Sequence, residues 1–410
     1  MTIASEHHVS TPTSEPGADP YAGQAIPWTQ ARLLAHRLPT PLGVQQVPLT
    51  HAAGRTLARP IRAASMLPGF DNAAMDGYAV RGPGPWRLVG HVLAGGATPE
   101  GLAPGEAVEI ATGAPVPPRA DRVVPYEVAE RRADLVREPP PRSGNRHHIR
   151  RAGEYVQAGQ TLLPGGTVLT AAVLGLAASV GLDTVTARTR PTVRILVTGD
   201  EVVTMGLPTH GKVRDAISPV LTTLLTAWNT DVVELSWIPD HPATVLTDAV
   251  RRSLIDADLT LVCGSSSVGP ADRLHDALAE AGATIHINGV ACRPGHPQVL
   301  AQAGPRWLIG LPGNPFAALV AAYTLIQPLL AGLAARALPE LPAATLRGDV
   351  RPSAGHTRLV PVRWHHHEVQ VIDGAHPGYL GPAAQADALA VMPPSWQAEQ
   401  AVELLAMLHR

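Results

Sequence analysis

The stretch Val193–Glu201, VRILVTGDE, constrains the fold of this chain more than any other. Val193, Ile195, Leu196 and Val197 lack a period-2 alternation, which predicts a strand buried on both faces. Gly199 breaks the run and leaves Asp200 and Glu201 at the strand's carboxyl end. That edge is where open α/β sheets bind ligands. The pattern recurs downstream. Val232–Ile238, Leu259–Cys263, Thr284–Ile287 and Trp307–Ile309 predict strands, and Ser218–Trp228, Pro242–Ile255 and Arg273–Ala281 predict helices between them. This alternation predicts an α/β layer architecture. Leu311-Pro-Gly-Asn-Pro315 then opens a long apolar helix over 316–334.

The flanking sequence differs. At 410 residues the chain exceeds one ordinary domain. Residues 1–25 are polar and rich in Pro, Ser and Gly, and are expected to be a disordered arm. A helix is expected over Trp28–Leu38, and another over Leu169–Leu182 with Thr170 as its cap. Residues 26–58 and 148–188 are expected to form a discontinuous helical and linking domain. Residues 59–147 carry short strands between Gly and Pro and are expected to be an inserted β-rich module. The α/β domain is expected to span 189–335. Strands at 345–350, 357–364 and 369–372 predict a C-terminal β domain over 336–410.

Composition excludes several classes. A net charge of −2 gives no electrostatic case for binding nucleic acid. Two cysteines in 410 residues are not a disulfide scaffold. The chain shows no signal-peptide core and no apolar run of spanning length without polar breaks. The expectation is a cytoplasmic protein with no membrane and no nucleic-acid partner. His365-His366-His367 are neighbours whose side chains alternate between faces in an extended chain, so they are expected to be a surface turn rather than a metal site.

Three features reach the carboxyl edge of the expected sheet. Asp200, Glu201, Asp215 and Asp272 are oxygen donors of the kind hard divalent cations share with substrate phosphates. Gly264–Gly269, with Gly264, Ser265, Ser267 and Gly269, is a small-residue loop before a helix, where backbone N–H groups can hold an anion. Arg293-Pro-Gly-His-Pro297 places a guanidinium and an imidazole, Arg293 and His296, on a stiff loop. Each has an ordinary alternative, such as Asp272 capping the helix that follows it. Together they point to an anionic, phosphate-bearing ligand with a divalent cation.

Pro68–Arg81 (PGFDNAAMDGYAVR), Ala111–Pro117 (ATGAPVP), Val197–Glu201 (VTGDE), Ser267–Asp272 (SVGPAD) and Gly310–Pro315 (GLPGNP) occur in one order. Together they resemble the molybdopterin molybdenumtransferase family, the bacterial MoeA proteins and the gephyrin E domain, from about Trp28 to Pro393. The resemblance implies a multidomain α/β plus β protein. Its parts would be a central three-layer α/β/α molybdopterin-binding domain, a β-rich inserted N-terminal module and a small C-terminal β-barrel-like domain. It implies a homodimer in which one subunit's α/β domain faces the other's β-rich module. It also implies a Mg2+-dependent transferase that inserts molybdenum from molybdate into adenylylated molybdopterin, with release of AMP. By motif matching, Asp76, Glu201, Asp215 and Asp272 would be catalytic, the last three with Asp200 holding metal. Thr112, the Gly264–Gly269 loop, Arg293, His296, Pro312, Gly313 and Asn314 would hold substrate. The implied partners are an upstream molybdopterin adenylyltransferase and acceptor molybdoenzymes or their chaperones.

The chain departs from the family pattern at Cys263-Gly264-Ser265, at Ala216-Ile217, at Tyr155 and at Tyr379. Arg293 and His296 replace two lysines. Arginine keeps the charge, whereas an imidazole with an ordinary pKa of about 6.5 is only partly charged near neutrality. Anion holding by His296 is therefore expected to weaken as pH rises. The departures leave a binding paralogue without turnover, or a scaffold protein, as alternatives to the active transferase.

Overall fold

The computed structural model describes residues 25–97, 100–140, 146–242, 244–264, 273–398 and 400–407. Residues 1–24 of the expected arm and the Ser267–Asp272 motif lie outside them. The described residues up to Gly43, together with those from Arg188 onward, form one compact unit; Val44–Ala187 form another.

In the first unit, six strands among the described residues make one sheet. Its order is Asp231–Ile238, Thr192–Thr198, Leu259–Cys263, Arg306–Leu311, Val299–Ala303, Thr284–Asn288. The first four are mutually parallel, and the last two join antiparallel. Val193, Ile195 and Val197 face one core with the helix Ile217–Ala227 and residues of Pro315–Leu333. Leu196, Val262 and Leu308 face a second core with the helices Thr244–Asp256 and Leu274–Glu280. Burial on both sides explains the unbroken apolar runs and makes the domain three-layered. Val299–Ala303 was not expected from the sequence, and neither was the short strand Val290–Arg293, which leaves this sheet to pair with the barrel.

The apolar segment Pro315–Leu333 has the length and mean hydropathy, 1.8, of a membrane span, yet 94% of it is buried inside the protein. It is a core helix. Residues Ala322–Ile326 wind as a π-helix before a second α-helical stretch that carries Pro328. Proline lacks an N–H and its ring crowds the carbonyl four residues back, so a local change of winding is the physical response. The helix Trp28–Arg37 packs here. Its Trp28 indole donates to Thr324 Oγ1 at 3.0 Å, and the buried Arg32 guanidinium donates to the Tyr323 carbonyl at 2.5 Å. Burial lowers the Arg32 pKa to about 10.

Five strands near the C-terminus close a barrel: Thr357–His365, Glu368–Val371, Ala343–Arg347, Ala401–Ala406 and Ala388–Met392, the last pairing back with the first. Leu346, Val362, Val369, Met392 and Leu404 fill it. His366 and His367 form the turn of the first hairpin, as the sequence predicts, with His366 at φ 57°.

In the second unit, six strands among the described residues run Arg122–Pro125, Gly77–Val80, Glu106–Ile110, Trp86–Val92, Leu135–Arg137, Glu130–Arg132. Gly77 shows why the PGFDNAAMDGYAVR motif needs glycine: a Cβ there would sit 2.1 Å from the Val124 carbonyl oxygen. The expected helix is Ala171–Ser179, capped by Thr170, whose side chain accepts from the Val173 N–H.

Candidate active site

Three adjacent parallel strands end together, and each ends in glycine or proline. Thr192–Thr198 runs into Gly199, Leu259–Cys263 into Gly264, and Arg306–Leu311 into Pro312-Gly-Asn-Pro315. Gly264 has φ 102°, and a Cβ there would press within 3.0 Å of Thr198. Small residues thus let the backbones crowd and leave room beyond them. That room is a cavity of about 650 Å³, lined by Thr198, Glu201, Asp215, Cys263, Gly264, Pro312, Gly313 and Asn314. Asn314 holds the N-cap position of the following helix, yet its side chain makes no cap hydrogen bond.

The two acidic residues of the cavity behave differently. Asp215 lies at the start of the helix Ile217–Ala227. Its Oδ1 accepts the N–H groups of Ile217 and Ser218, both at 3.0 Å, and its Oδ2 accepts the Ser218 hydroxyl at 2.5 Å and the Trp237 indole N–H at 3.2 Å. Burial opposes its ionisation, but these hydrogen bonds prevail and hold the Asp215 carboxyl below its ordinary pKa. Glu201 is exposed and folds over Gly199, where a Cβ would meet its Oε2 at 2.6 Å. Asp200, expected to hold metal, does not line the cavity; its backbone and carboxylate exchange hydrogen bonds with Asp240.

Arg293 opens onto a second cavity of about 400 Å³, with Arg351, Arg358, Ser353 and His376. The segment that follows His376 serves both spaces. Pro377 lines the second cavity and Gly378 the first, while the Pro377 carbonyl accepts the Phe316 N–H at 2.9 Å. His296 lines neither; its ring lies 5.8 Å from that of His356. Arg351 and Arg358 escaped sequence reasoning because they lie in the barrel region, where nothing local marks an arginine as belonging to a site. Cys263 and Cys292 are buried free thiols; burial pushes the first up and the second up to about 12.

In the second unit, Asp76 lies on the turn before Gly77–Val80 and accepts the Thr112 N–H on Oδ1 at 2.6 Å. It lines a cavity of about 250 Å³ with His91, Glu109 and Tyr126. The Tyr126 hydroxyl donates to Glu109 at 2.7 Å, and burial together with that carboxylate raises the tyrosine pKa. Ser265, Ser267, Gly269 and Asp272 lie outside the described residues. Among the described residues, no three His, Cys, Asp or Glu side chains are grouped to hold a metal. Of the two carboxylates in the cavity, Glu201 is an oxygen donor of the kind Mg2+ shares with substrate phosphates, whereas Asp215, also expected to hold metal, has both oxygens taken by donors of its own fold.

A three-layer α/β/α domain with a cavity at the carboxyl edge of its sheet, a closed five-strand barrel and a separate β-rich unit make this a multidomain α/β plus β protein. Comparison with known proteins agrees. Residues 26–181 match the family model for the MoeA N-terminal region (domain I and II), and residues 194–332 that for a probable molybdopterin binding domain. The molybdopterin molybdenumtransferase of a Nostoc species is 33% identical over 389 residues, 88% of this chain and 87% of that protein. The one from Haemophilus influenzae is 35% identical over 309 residues, 73% of this chain and 75% of that protein. In fold, the crystal structure of a molybdopterin biosynthesis MoeA protein from Pyrococcus horikoshii covers 94% of this chain and 100% of its own, with TM-score 0.77 at 21% identity. The chain belongs to the molybdopterin molybdenumtransferase family.

Proposed function

We propose that this protein is an active molybdenumtransferase that takes molybdate and adenylylated molybdopterin, releases AMP and leaves molybdenum on the dithiolene. The observation that carries the reading is the cavity of about 650 Å³ at three strand ends, lined by Glu201, Asp215, Gly264 and Gly313. Backbone at glycine can approach phosphate or pterin groups closely because no side chain intervenes. Arg293, Arg351 and Arg358 offer charge-assisted donors to a dianion, which suits the neighbouring cavity to molybdate. Glu201 and Asp272 would hold Mg2+, which supplies charge neutralisation on the phosphoanhydride; Asp215, whose oxygens already accept four donors of the fold, would border the site without ligating the ion. Asp76 and Thr112 would come from the second subunit of a homodimer, and Asp76 would orient the attacking group. No covalent intermediate with the protein is required, because positioning and charge act directly on the transferring groups. The reaction belongs in the cytoplasm, between an adenylyltransferase and the acceptor molybdoenzymes.

The test is AMP release. Purified protein is mixed with adenylylated molybdopterin and Mg2+, with and without molybdate, beside Asp272→Ala. Molybdate-dependent release that the substitution abolishes supports the reading. Binding of the nucleotide without release would leave a binding paralogue in its place.

A further inference from the structure

The active-site cavity does not end at Asp215. Arg214 and Asp215 also border a shallower cavity of about 360 Å³, whose lining includes Trp237, Leu235, Thr222 and Thr223. Trp237 sits on Asp231–Ile238, the edge strand of the sheet, and is 44% exposed. Its indole is not loose. The N–H donates to Asp215 Oδ2 at 3.2 Å, and Asp215 is itself held by the first turn of the helix Ile217–Ala227. A large aromatic ring is therefore held in place at the mouth of a cavity while much of its surface faces solvent. Exposing such a ring forgoes the free energy of burying it, and the position adjoins a space read as taking phosphate groups. The threonine hydroxyls of Thr222 and Thr223 lie on the helix beside it and can accept or donate.

We propose that this shallow cavity beside Trp237 takes the adenine ring of the adenylyl group, with Trp237 as its stacking platform and Arg214 near the phosphate. The inference rests on the reading above, which supplies an adenylylated substrate. Stacking suits an adenine because every nucleobase offers a π-face to an aromatic side chain, and each such contact weakens binding substantially when truncated. The order along the protein then becomes adenine beside Trp237, phosphate and pterin beside Glu201 and Gly264, and oxyanion beside Arg293.

The experiment is a calorimetric titration of the full-length protein with AMP, and with ribose 5-phosphate as a probe lacking the base. Wild type is expected to prefer AMP. Trp237→Ala is expected to weaken AMP by about tenfold or more and to leave ribose 5-phosphate unchanged. Trp237→Phe keeps a ring but loses the N–H, and is expected to stay within about threefold of wild type. Circular dichroism confirms that both variants fold. Equal AMP affinity in wild type and Trp237→Ala overturns the proposal, as does wild type that binds both probes alike. A Phe variant as weak as the Ala variant also overturns it, since the ring would then serve only to donate to Asp215. Wild type that releases AMP in the transfer assay while Trp237→Ala binds AMP normally preserves the transferase and rejects this site. Wild type that binds AMP through Trp237 without transfer does the reverse.

Discussion

Asp215 and Asp76 are both aspartates at the borders of cavities, one in each compact unit, and the fold treats them in opposite ways. Asp215 is half-buried, and each of its oxygens accepts two donors, from its own helix and from Trp237. Asp76 is exposed and accepts one backbone N–H, from Thr112. A carboxylate saturated by its own fold stabilises that fold and sets the direction of its neighbours. A carboxylate with spare lone pairs remains available to a ligand or a partner. Residue type alone does not separate these roles; the count of donors does.

The comparison breaks first on Asp76. Asp76→Asn is expected to lower AMP release by at least about 100-fold, the low end for removing a group that acts directly on the reaction, with stability within about 0.5 kcal/mol of wild type. Rate assays beside urea unfolding would show it, and a destabilised variant with normal turnover would reverse the contrast. Asp215→Ala should show the other face. Loss of the cap, with donors left unmatched, is expected to cost about 2 kcal/mol, read as a lower urea midpoint with an unchanged slope. Arg293 tests the same logic for cations. It is exposed and borders the second cavity, so Arg293→Ala is expected to weaken molybdate about tenfold without moving the unfolding midpoint. Calorimetry with molybdate decides this. The smallest effect is in acid. The folded Asp215 pKa lies below its ordinary 3.8, so its contribution to stability is full above that value and is lost as pH falls through the lower, folded one. The stability gap between wild type and Asp215→Asn should therefore narrow below about pH 4; a gap independent of pH would mean that hydrogen bonding alone, and not charge, matters there.

The four parallel strands were legible because strands buried on both faces must be apolar throughout, and glycine must follow where chains crowd. The last two barrel strands, Ala388–Met392 and Ala401–Ala406, were not. ALAVM and AVELLA are rich in alanine and leucine, residues without strong strand preference. Long-range pairing within the barrel makes them strands. The same distinction divides the candidate site. Glu201, Asp215, Gly264, Pro312, Gly313 and Asn314 sit in motifs at strand ends and line one cavity. Arg351, Arg358 and Trp237 had no local mark. Asp200, adjacent to Glu201 in the same motif, turned instead to Asp240, because neighbouring residues at a strand end point different ways.

The sequence by itself determined the layer architecture, the family and the edge of the sheet where chemistry can occur. The architecture and the edge follow from hydrophobic period and from glycine, which act over a few residues at a time; the family follows from the likeness of five motifs in one order. Tertiary structure decided which side chains share a space: the barrel arginines with Arg293, Trp237 with Asp215, and the donors that saturate one aspartate and spare another. Those relations join residues far apart in the chain, and hydrogen-bond geometry and burial exist only after the chain has packed.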